Sequence, residues 1–222
     1  MRNQLMLGLV VVAGAANANI VIDDFTSGTY HKTITSGSIT EFQNGTMIGG
    51  DRYANTMVES NVFGLEIQTD IAGGSYALSA QSGVDGMGSL GYGFSNNAGT
   101  PVNQDMNLNF SGENQFKVNF ISSDAPGTYT ISVRSSSSNG GAFVSVTDSF
   151  QGNSVNAPFM RTLDFSQFAG VNFADVDQVV LKFDSSTSGD VAISSFQAVP
   201  EPASLIVLGT ASAFAARRRR KN

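Results

Sequence analysis

Apolar and polar residues alternate in several short segments of this chain, and this alternation limits what the chain can fold into. Between Phe116 and Phe120, Lys117 and Asn119 separate three apolar residues. Successive side chains of a strand point to opposite faces, so a period of two marks a strand buried on one side only, as in an antiparallel sheet. The alternation recurs at 129–134, 142–146 and 179–183. The pattern predicts an all-β body.

Turn-forming residues, most of them glycine, separate these segments, at 44–45, 49–50, 73–74, 124–127, 139–141 and 188–190. The best candidate for a helical turn is Leu163–Phe168. We expect about ten to twelve strands in two packed antiparallel sheets, a jelly-roll-like β-sandwich. An immunoglobulin-like sandwich is the alternative. The sequence contains no internal repeat of fixed period, and this argues against a β-helix.

The C-terminus carries a Pro-Glu-Pro box, an apolar run at 203–216 and a basic end. Together these parts resemble the PEP-CTERM sorting signal of bacterial exported proteins. The residues that carry the resemblance are Pro200, Glu201, Pro202, Arg217, Arg218, Arg219 and Arg220. As a helix, 203–216 would span about 21 Å, which is short of a hydrocarbon core of about 30 Å. The alternative is an ordinary core helix with a basic end.

The resemblance implies a processing route. The short helix would hold the precursor transiently in the inner membrane, with its basic end in the cytoplasm as the positive-inside rule requires. An exosortase-type enzyme would then cut near Pro202 and deliver the body to the cell surface or extracellular matrix. In this family that destination implies an association with exopolysaccharide or biofilm.

The N-terminus predicts a secretory signal peptide. Arg2 precedes an apolar stretch from Leu5 to Ala13, and Ala16-Asn17-Ala18 is a small-x-small cleavage site. The alternative is a retained N-terminal anchor. The expected organisation is a signal peptide at 1–18, a β-sandwich body at 19–199 and a sorting segment at 200–222.

The body is far more acidic than the whole chain. Residues 19–199 hold 6 basic and 17 acidic groups, a net charge of −11 compared with −6 for the chain. Such a surface repels nucleic acid, so no nucleic-acid partner is expected. The chain has no cysteine, and its core must therefore provide the stability without disulfides.

The body also resembles the galactose-binding-like jelly rolls, which include several carbohydrate-binding modules. The resembling segments are 21–25, 165–168, 173–181 and 191–196. In such folds acidic groups near the first and last strands often hold a structural calcium, which makes Asp23 and Asp24 candidate ligands. Ser194 and Ser195 stand where further acidic residues would strengthen the site. The alternative is that both carboxylates face solvent. No other cofactor is expected.

Glycan binding needs an aromatic face beside planar polar groups, and three segments could supply them: Tyr30-His31, Asp51-Arg52-Tyr53 and Gly91-Tyr92-Gly93-Phe94. Tyr53 and Tyr92 are the candidate contacts. The alternative is that these aromatic residues pack the sandwich.

No sequence pattern indicates an enzyme. Gly86-Met-Gly-Ser-Leu-Gly91 matches a dinucleotide-binding fingerprint, but no helix pattern follows it. His31 is the sole histidine, and no nucleophile-elbow sequence accompanies it. We therefore expect a non-enzymatic exported protein with a structural or adhesive body. A carbohydrate-binding module is the alternative.

Overall fold

The computed structural model describes residues 19–152 and 157–200. These residues form fifteen strands and three short 3₁₀ helices, Ile48–Gly50, Asn139–Gly141 and Phe165–Gln167. In chain order the strands are β1 (Ile20–Asp23), β2 (Tyr30–Ile34), β3 (Ser38–Asn44), β4 (Asp51–Asn61), β5 (Ile67–Ala72), β6 (Ser75–Ala80), β7 (Val84–Tyr92), β8 (Phe94–Asn97), β9 (Thr100–Asn103), β10 (Gln115–Ser123), β11 (Gly127–Arg134), β12 (Val144–Phe150), β13 (Phe159–Asp164), β14 (Gln178–Ser185) and β15 (Val191–Val199).

Two antiparallel sheets contain most of these strands. The seven-stranded sheet has the order β13-β10-β15-β6-β5-β2, with β1 also paired to β15. The six-stranded sheet has the order β12-β11-β14-β7-β4-β3. A separate hairpin, β8-β9, follows directly from β7. Strands that are neighbours in a sheet are often far apart in sequence, as in a jelly-roll sandwich.

The core lies between the two sheets and is built by alternate residues of their strands. In β10 the inward residues are Phe116, Val118 and Phe120, each at most 1% exposed, while Lys117 and Asn119 are half-buried on the other side. Aromatic rings fill much of the space. The Phe120 ring lies 5.9 Å from that of Phe183, which belongs to the other sheet. Burial of these rings supplies the hydrophobic stabilisation that a chain without disulfides needs.

The predicted all-β class with two antiparallel sheets is confirmed. The number of strands is higher than expected, because short hairpins such as β5-β6, which turns at Gly73-Gly74, add strands of only four to six residues. The expected turn at Leu163–Phe168 begins as the end of β13 and continues as the 3₁₀ helix Phe165–Gln167. Within the described ranges no helix has the length and apolar character needed to cross a bilayer. The predicted helix at 203–216 lies outside those ranges.

Candidate functional site

The outer face of the six-stranded sheet, which points away from the core, carries a row of polar side chains. The register of the strands places one residue from each strand side by side across the whole sheet. We call these residues the polar row: Thr147, Thr130, Lys182, Ser89, Asn55 and Thr40. Five inter-strand spacings of about 4.8 Å give the row a length of about 24 Å. The row is therefore long enough to contact an extended polymeric ligand along its length.

Hydrogen bonds between neighbouring strands hold several side chains of the polar row in place. The hydroxyl oxygens of Thr130 and Thr147 are 2.8 Å apart. Asn55 Nδ2 donates to Thr40 Oγ1 at 2.8 Å and to the Ile39 carbonyl at 3.1 Å. Lys182 is the single charged member of the row. The row thus presents hydroxyl and amide groups that are already held in place. Their side chains would therefore lose little conformational entropy when a ligand binds.

An aromatic cluster lies immediately beside the polar row on the same face. Its members are Phe42 of β3, Tyr53 of β4, Phe94 of β8 and Phe143 just before β12. The Tyr53 ring lies 6.2 Å from that of Phe42 and 5.0 Å from that of Phe94, both edge-to-face. Phe94 and Phe143 are parallel, with centroids 6.3 Å apart. Phe143 is 39% exposed, and Phe42 and Tyr53 are half-buried.

The alternation of strand residues explains why cluster and row adjoin. Tyr53 and Asn55 are two residues apart on β4, so they share a face, and Phe42 and Thr40 do the same on β3. Tyr53 pairs with Gly91 of β7, and a Cβ at that glycine would lie 2.0 Å from Tyr53 Cε1. The absence of a side chain at Gly91 therefore leaves room for the Tyr53 ring at that position.

Gly93 brings Phe94 into the cluster. In a continuous strand Phe94 would point inward like Tyr92, but Gly93 has a φ of +81° and turns the chain at the end of β7. A Cβ there would approach the Asp177 carbonyl oxygen to 2.0 Å, which excludes any other residue without a backbone shift. The Gly93 carbonyl accepts hydrogen bonds from Gln104 N at 2.9 Å and from Gln178 Nε2 at 3.1 Å. Two hydrogen bonds to the Gly93 carbonyl thus hold the turn in place.

Burial raises the pKa of the Tyr53 phenol, although a hydrogen bond with Ser89 acts in the opposite direction. The phenol is therefore a neutral group at physiological pH. It connects the aromatic cluster to the polar row, because Ser89 belongs to that row. This combination of an apolar ring and a polar tip suits a ligand that carries both C–H faces and hydroxyls.

Three carboxylates stand at another part of the same face. One oxygen each of Glu59, Asp85 and Asp184 lies within 4.8 Å of the others. The pKa of Glu59 is raised by burial and by the charges of Asp184 and Asp85, while Lys182 acts in the opposite direction. Glu59 is exposed and Asp85 and Asp184 are half-buried, and acidic groups near a surface commonly lie together without a bound ion.

The structure separates the two predicted glycan contacts. Tyr53 lies on the outer face, as just described. Tyr92 is fully buried on the opposite face of the sheet, and its hydroxyl donates to Asp23 Oδ2 at 3.0 Å. Tyr30 is also buried, with its hydroxyl oxygen 3.2 Å from Thr56 Oγ1. The structure therefore gives Tyr92 a role in the core, and of the two predicted contacts Tyr53 stays a proposed one.

Asp23 and Asp24, the predicted calcium ligands, lie in different environments. Asp23 is 1% exposed, and it accepts hydrogen bonds from Arg52 Nη1 at 2.6 Å, from Tyr92 and from the Phe25 amide at 2.8 Å. Its charge is thus matched by a guanidinium group. Asp24 is exposed, and hydrogen bonds from the Thr26 hydroxyl at 2.6 Å and the Thr26 amide at 3.1 Å lower its pKa. Calcium binding by Asp24 stays a prediction, whereas Asp23 has a structural role.

The sequence did not single out Phe42 or Phe143. Phe42 belongs to the alternation of β3, and Phe143 follows the turn Asn139–Gly141. The sequence signals that could have revealed them are the same alternation and glycine turn that predicted the strands. Their convergence depends on strand order, which pairs β3 with β4 and brings residue 143 to Phe94.

Of the predicted sorting and cleavage residues, only Pro200 is described. It follows directly after the last residue of β15. Ala16, Ala18, Glu201, Pro202 and Arg217 to Arg220 lie outside the described residues. The boundaries of the three expected segments therefore stay predictions.

Several solved β-sandwich structures are similar to this chain. The family 11 carbohydrate-binding module of a cellulosomal cellulase of Clostridium thermocellum has 11% identity and a TM-score of 0.43, with 84% of this chain and 96% of that chain covered. A family 29 carbohydrate-binding module in complex with mannohexaose has 14% identity and a TM-score of 0.37, with 77% and 91% covered. An agarase has 9% identity and a TM-score of 0.40, with 66% and 22% covered. These similarities concern architecture alone.

Sequence comparison identifies the end of the chain. No curated protein sequence matches the chain. Residues 198–221 match the PEP-CTERM protein-sorting motif, and the match begins inside β15. The chain thus carries a PEP-CTERM sorting signal, which indicates an exported protein that is anchored or processed at the membrane.

Proposed function

We propose that this protein is an adhesive component of the cell surface or extracellular matrix, and that its body binds extracellular polysaccharide through the outer face of the six-stranded sheet. The observation that carries the proposal is the aromatic cluster beside the polar row on that face. An exosortase-type enzyme is the proposed processing partner, and the inner membrane holds only the precursor. We assign no enzymatic role to the body.

The chemistry of the face fits a neutral or weakly charged glycan. Sugar rings present C–H faces that pack against aromatic rings, and they carry hydroxyls that form hydrogen bonds with amide and hydroxyl groups. This face offers both kinds of partner side by side, because Tyr53 and Asn55 are two residues apart on β4. The polar row contains one charge, Lys182, while the three carboxylates nearby repel anionic chains. A purely structural body that binds no glycan is the second candidate, and the strongly acidic composition of the body supports it.

Phe143→Ala tests the proposal. Phe143 is 39% exposed, so its truncation removes binding surface at little cost to the core. We expect it to weaken retention in affinity electrophoresis by about ten-fold or more, which corresponds to about 1.4 kcal/mol. The gels would contain mixed-linkage β-glucan, galactomannan or exopolysaccharide extracted from the cells that make the protein.

The matched control is Met160→Ala. Met160 is 61% exposed and points outward from β13, in the other sheet. It should be retained like the wild type. Equal retention of both variants, or no retention of the wild type in any gel, would rule out this face as a glycan site and leave the structural role.

A further inference from the structure

Two turns carry the two members of the aromatic cluster that stack in parallel. Phe94 directly follows the turn at Gly93, and Phe143 comes two residues after Gly141, the last residue of a 3₁₀ helix. The planes of the two rings differ by 4°, and their centroids are 6.3 Å apart. Gly93 and Gly141 both lie between strands, so the ladder of the sheet does not fix the two turns directly. The position of the rings therefore depends on contacts made by side chains.

Arg134, the last residue of β11, contacts the turn that precedes Phe143. Its Nε donates to the Gly141 carbonyl at 2.7 Å, and its Nη1 donates to Gln178 Oε1. Only 16% of the Arg134 side chain is exposed, and Asp105 Oδ1 lies 3.6 Å from Nη1. The donors of a guanidinium group form a rigid planar fork, so acceptors on two of its nitrogens fix the orientation of the whole group.

Gln178, the first residue of β14, connects Arg134 to the other turn. It pairs with Arg134 in the register of the sheet and has no exposed surface. Its Nε2 donates to the Gly93 carbonyl at 3.1 Å and to the carbonyl of Gln104, the residue that follows β9. Both ends of the Gln178 amide are thus engaged, and a buried polar network whose members are satisfied in this way is rigid.

We infer that Arg134 and Gln178 are positioning residues of the aromatic cluster. Their hydrogen bonds run without a break from the Gly141 carbonyl to the Gly93 carbonyl, so one network holds the turns of both stacked rings. The importance of this network for polysaccharide rests on the proposed function, whereas its hold on the turns is a property of the free protein. A cluster that is positioned in advance loses less conformational freedom on binding and therefore binds more tightly.

Amide hydrogen exchange of the purified protein, measured without glycan, tests the hold on the two turns. The Gln104 amide donates to the Gly93 carbonyl at 2.9 Å, and the Ala142 amide donates to the Asn139 carbonyl at 3.2 Å, so each amide reports one turn. In Arg134→Gln both amides should exchange about ten-fold faster relative to the amides of β10, which report global stability.

A second variant and a matched control accompany Arg134→Gln. Arg134→Lys keeps the charge and most of the stem, which favours folding, but one ammonium group cannot replace the planar fork. It should therefore loosen the same two turns. Arg161→Gln is the control, because it removes a half-buried guanidinium from β13 in the other sheet. It should leave the exchange of both turns unchanged.

Affinity electrophoresis then tests whether the network serves binding. Arg134→Gln should weaken retention about five-fold in the wild-type background, but at most about two-fold in the Phe143→Ala background, because most of its effect acts through that ring. A merely structural role would give equal losses in both backgrounds. Equal losses, or turns that exchange as in the wild type, overturn the inference. Absence of retention in the wild type contradicts the proposed function instead, and exchange alone then decides whether the network holds the turns.

Discussion

Arg52 is the largest charged side chain in the core and has no exposed surface. Its guanidinium group pairs with Asp23 at 2.6 Å, donates to Gln43 Oε1 at 3.2 Å and to the Ser27 carbonyl at 3.1 Å, and also contacts the Gly28 carbonyl. The segment after β1 is thereby attached to β3 and β4. A buried ion pair of this kind stabilises the native arrangement only while both partners are present.

Arg52→Met should destabilise the protein by about 3–5 kcal/mol, because it leaves the Asp23 carboxylate buried without a counter-charge. Urea denaturation measures the change. His31→Ala is the control, because His31 and Asp70 form an exposed pair in which 68% and 38% of the side chains are accessible. Loss of such a pair should lower the free energy of unfolding by only about 0–1 kcal/mol. A loss below about 1 kcal/mol in Arg52→Met would contradict this role. The double variant with Asp23→Leu should recover part of the loss.

Sequence reasoning identified the chemistry of single residues better than their surroundings. The sequence predicts Asp23 as a calcium ligand, and it predicts Arg52 and Tyr92 as parts of glycan-binding segments. The structure joins all three in one buried network. Alternation alone could have indicated this, because Arg52 shares its face of β4 with Ala54 and Thr56, which are fully buried. A charge at an inward position predicts a buried partner, but the identity of that partner depends on strand order.

At the scale of elements, β7 and β8 decide the shape of the candidate site. The three glycines of the dinucleotide-like motif, Gly86, Gly88 and Gly91, all lie within β7 and not in a loop before a helix. Gly88 leaves room for the Tyr76 hydroxyl on the inner face, and Gly91 leaves room for the Tyr53 ring on the outer face. The motif therefore reflects close packing of β7 against aromatic residues on both of its faces.

Gly93→Ala should cost more than about 3 kcal/mol and should abolish polysaccharide retention, because the added Cβ meets a backbone carbonyl and displaces Phe94. Gly99→Ala is the matched control. Its φ of +85° resembles the +81° of Gly93, but nothing lies within 4 Å of its added Cβ. Only the left-handed backbone strain of about 1–2 kcal/mol is expected there. Equal losses in chemical denaturation would show that the clash with Asp177 is unimportant.

Alternation predicted several strands correctly, including β10, β11 and β14. It was less accurate where glycine interrupts the chain. The segment 142–146 was expected to be a strand, but β12 begins at Val144, so Phe143 lies just before the strand, in the aromatic cluster. Phe94 leaves the face that its spacing from Tyr92 predicts, because of the positive φ at Gly93. Local backbone reversals of this kind are set by tertiary packing, which a period of two does not encode.

At the scale of the whole molecule, the sorting signal predicts the mass of the mature protein. In cells that contain the exosortase, the isolated protein should lack residues 1–18 and everything after about Pro202. Intact mass spectrometry measures both ends together. Replacing Pro200, Glu201 and Pro202 by alanine should leave the C-terminal segment attached, because the recognition box is gone. Mature wild-type protein that still contains Arg217 to Asn222 would contradict the proposed processing.

The position of β15 has a mechanical consequence. This strand is bonded along one side to β10 and along the other to β1 and β6, and the chain leaves it at Val199 toward the sorting segment. A pull on the C-terminus along the strand therefore loads the hydrogen bonds of both flanks in shear, so that they must fail together and not one after another. A surface protein held by this end would resist drag from flowing liquid, with the load shared by the whole seven-stranded sheet.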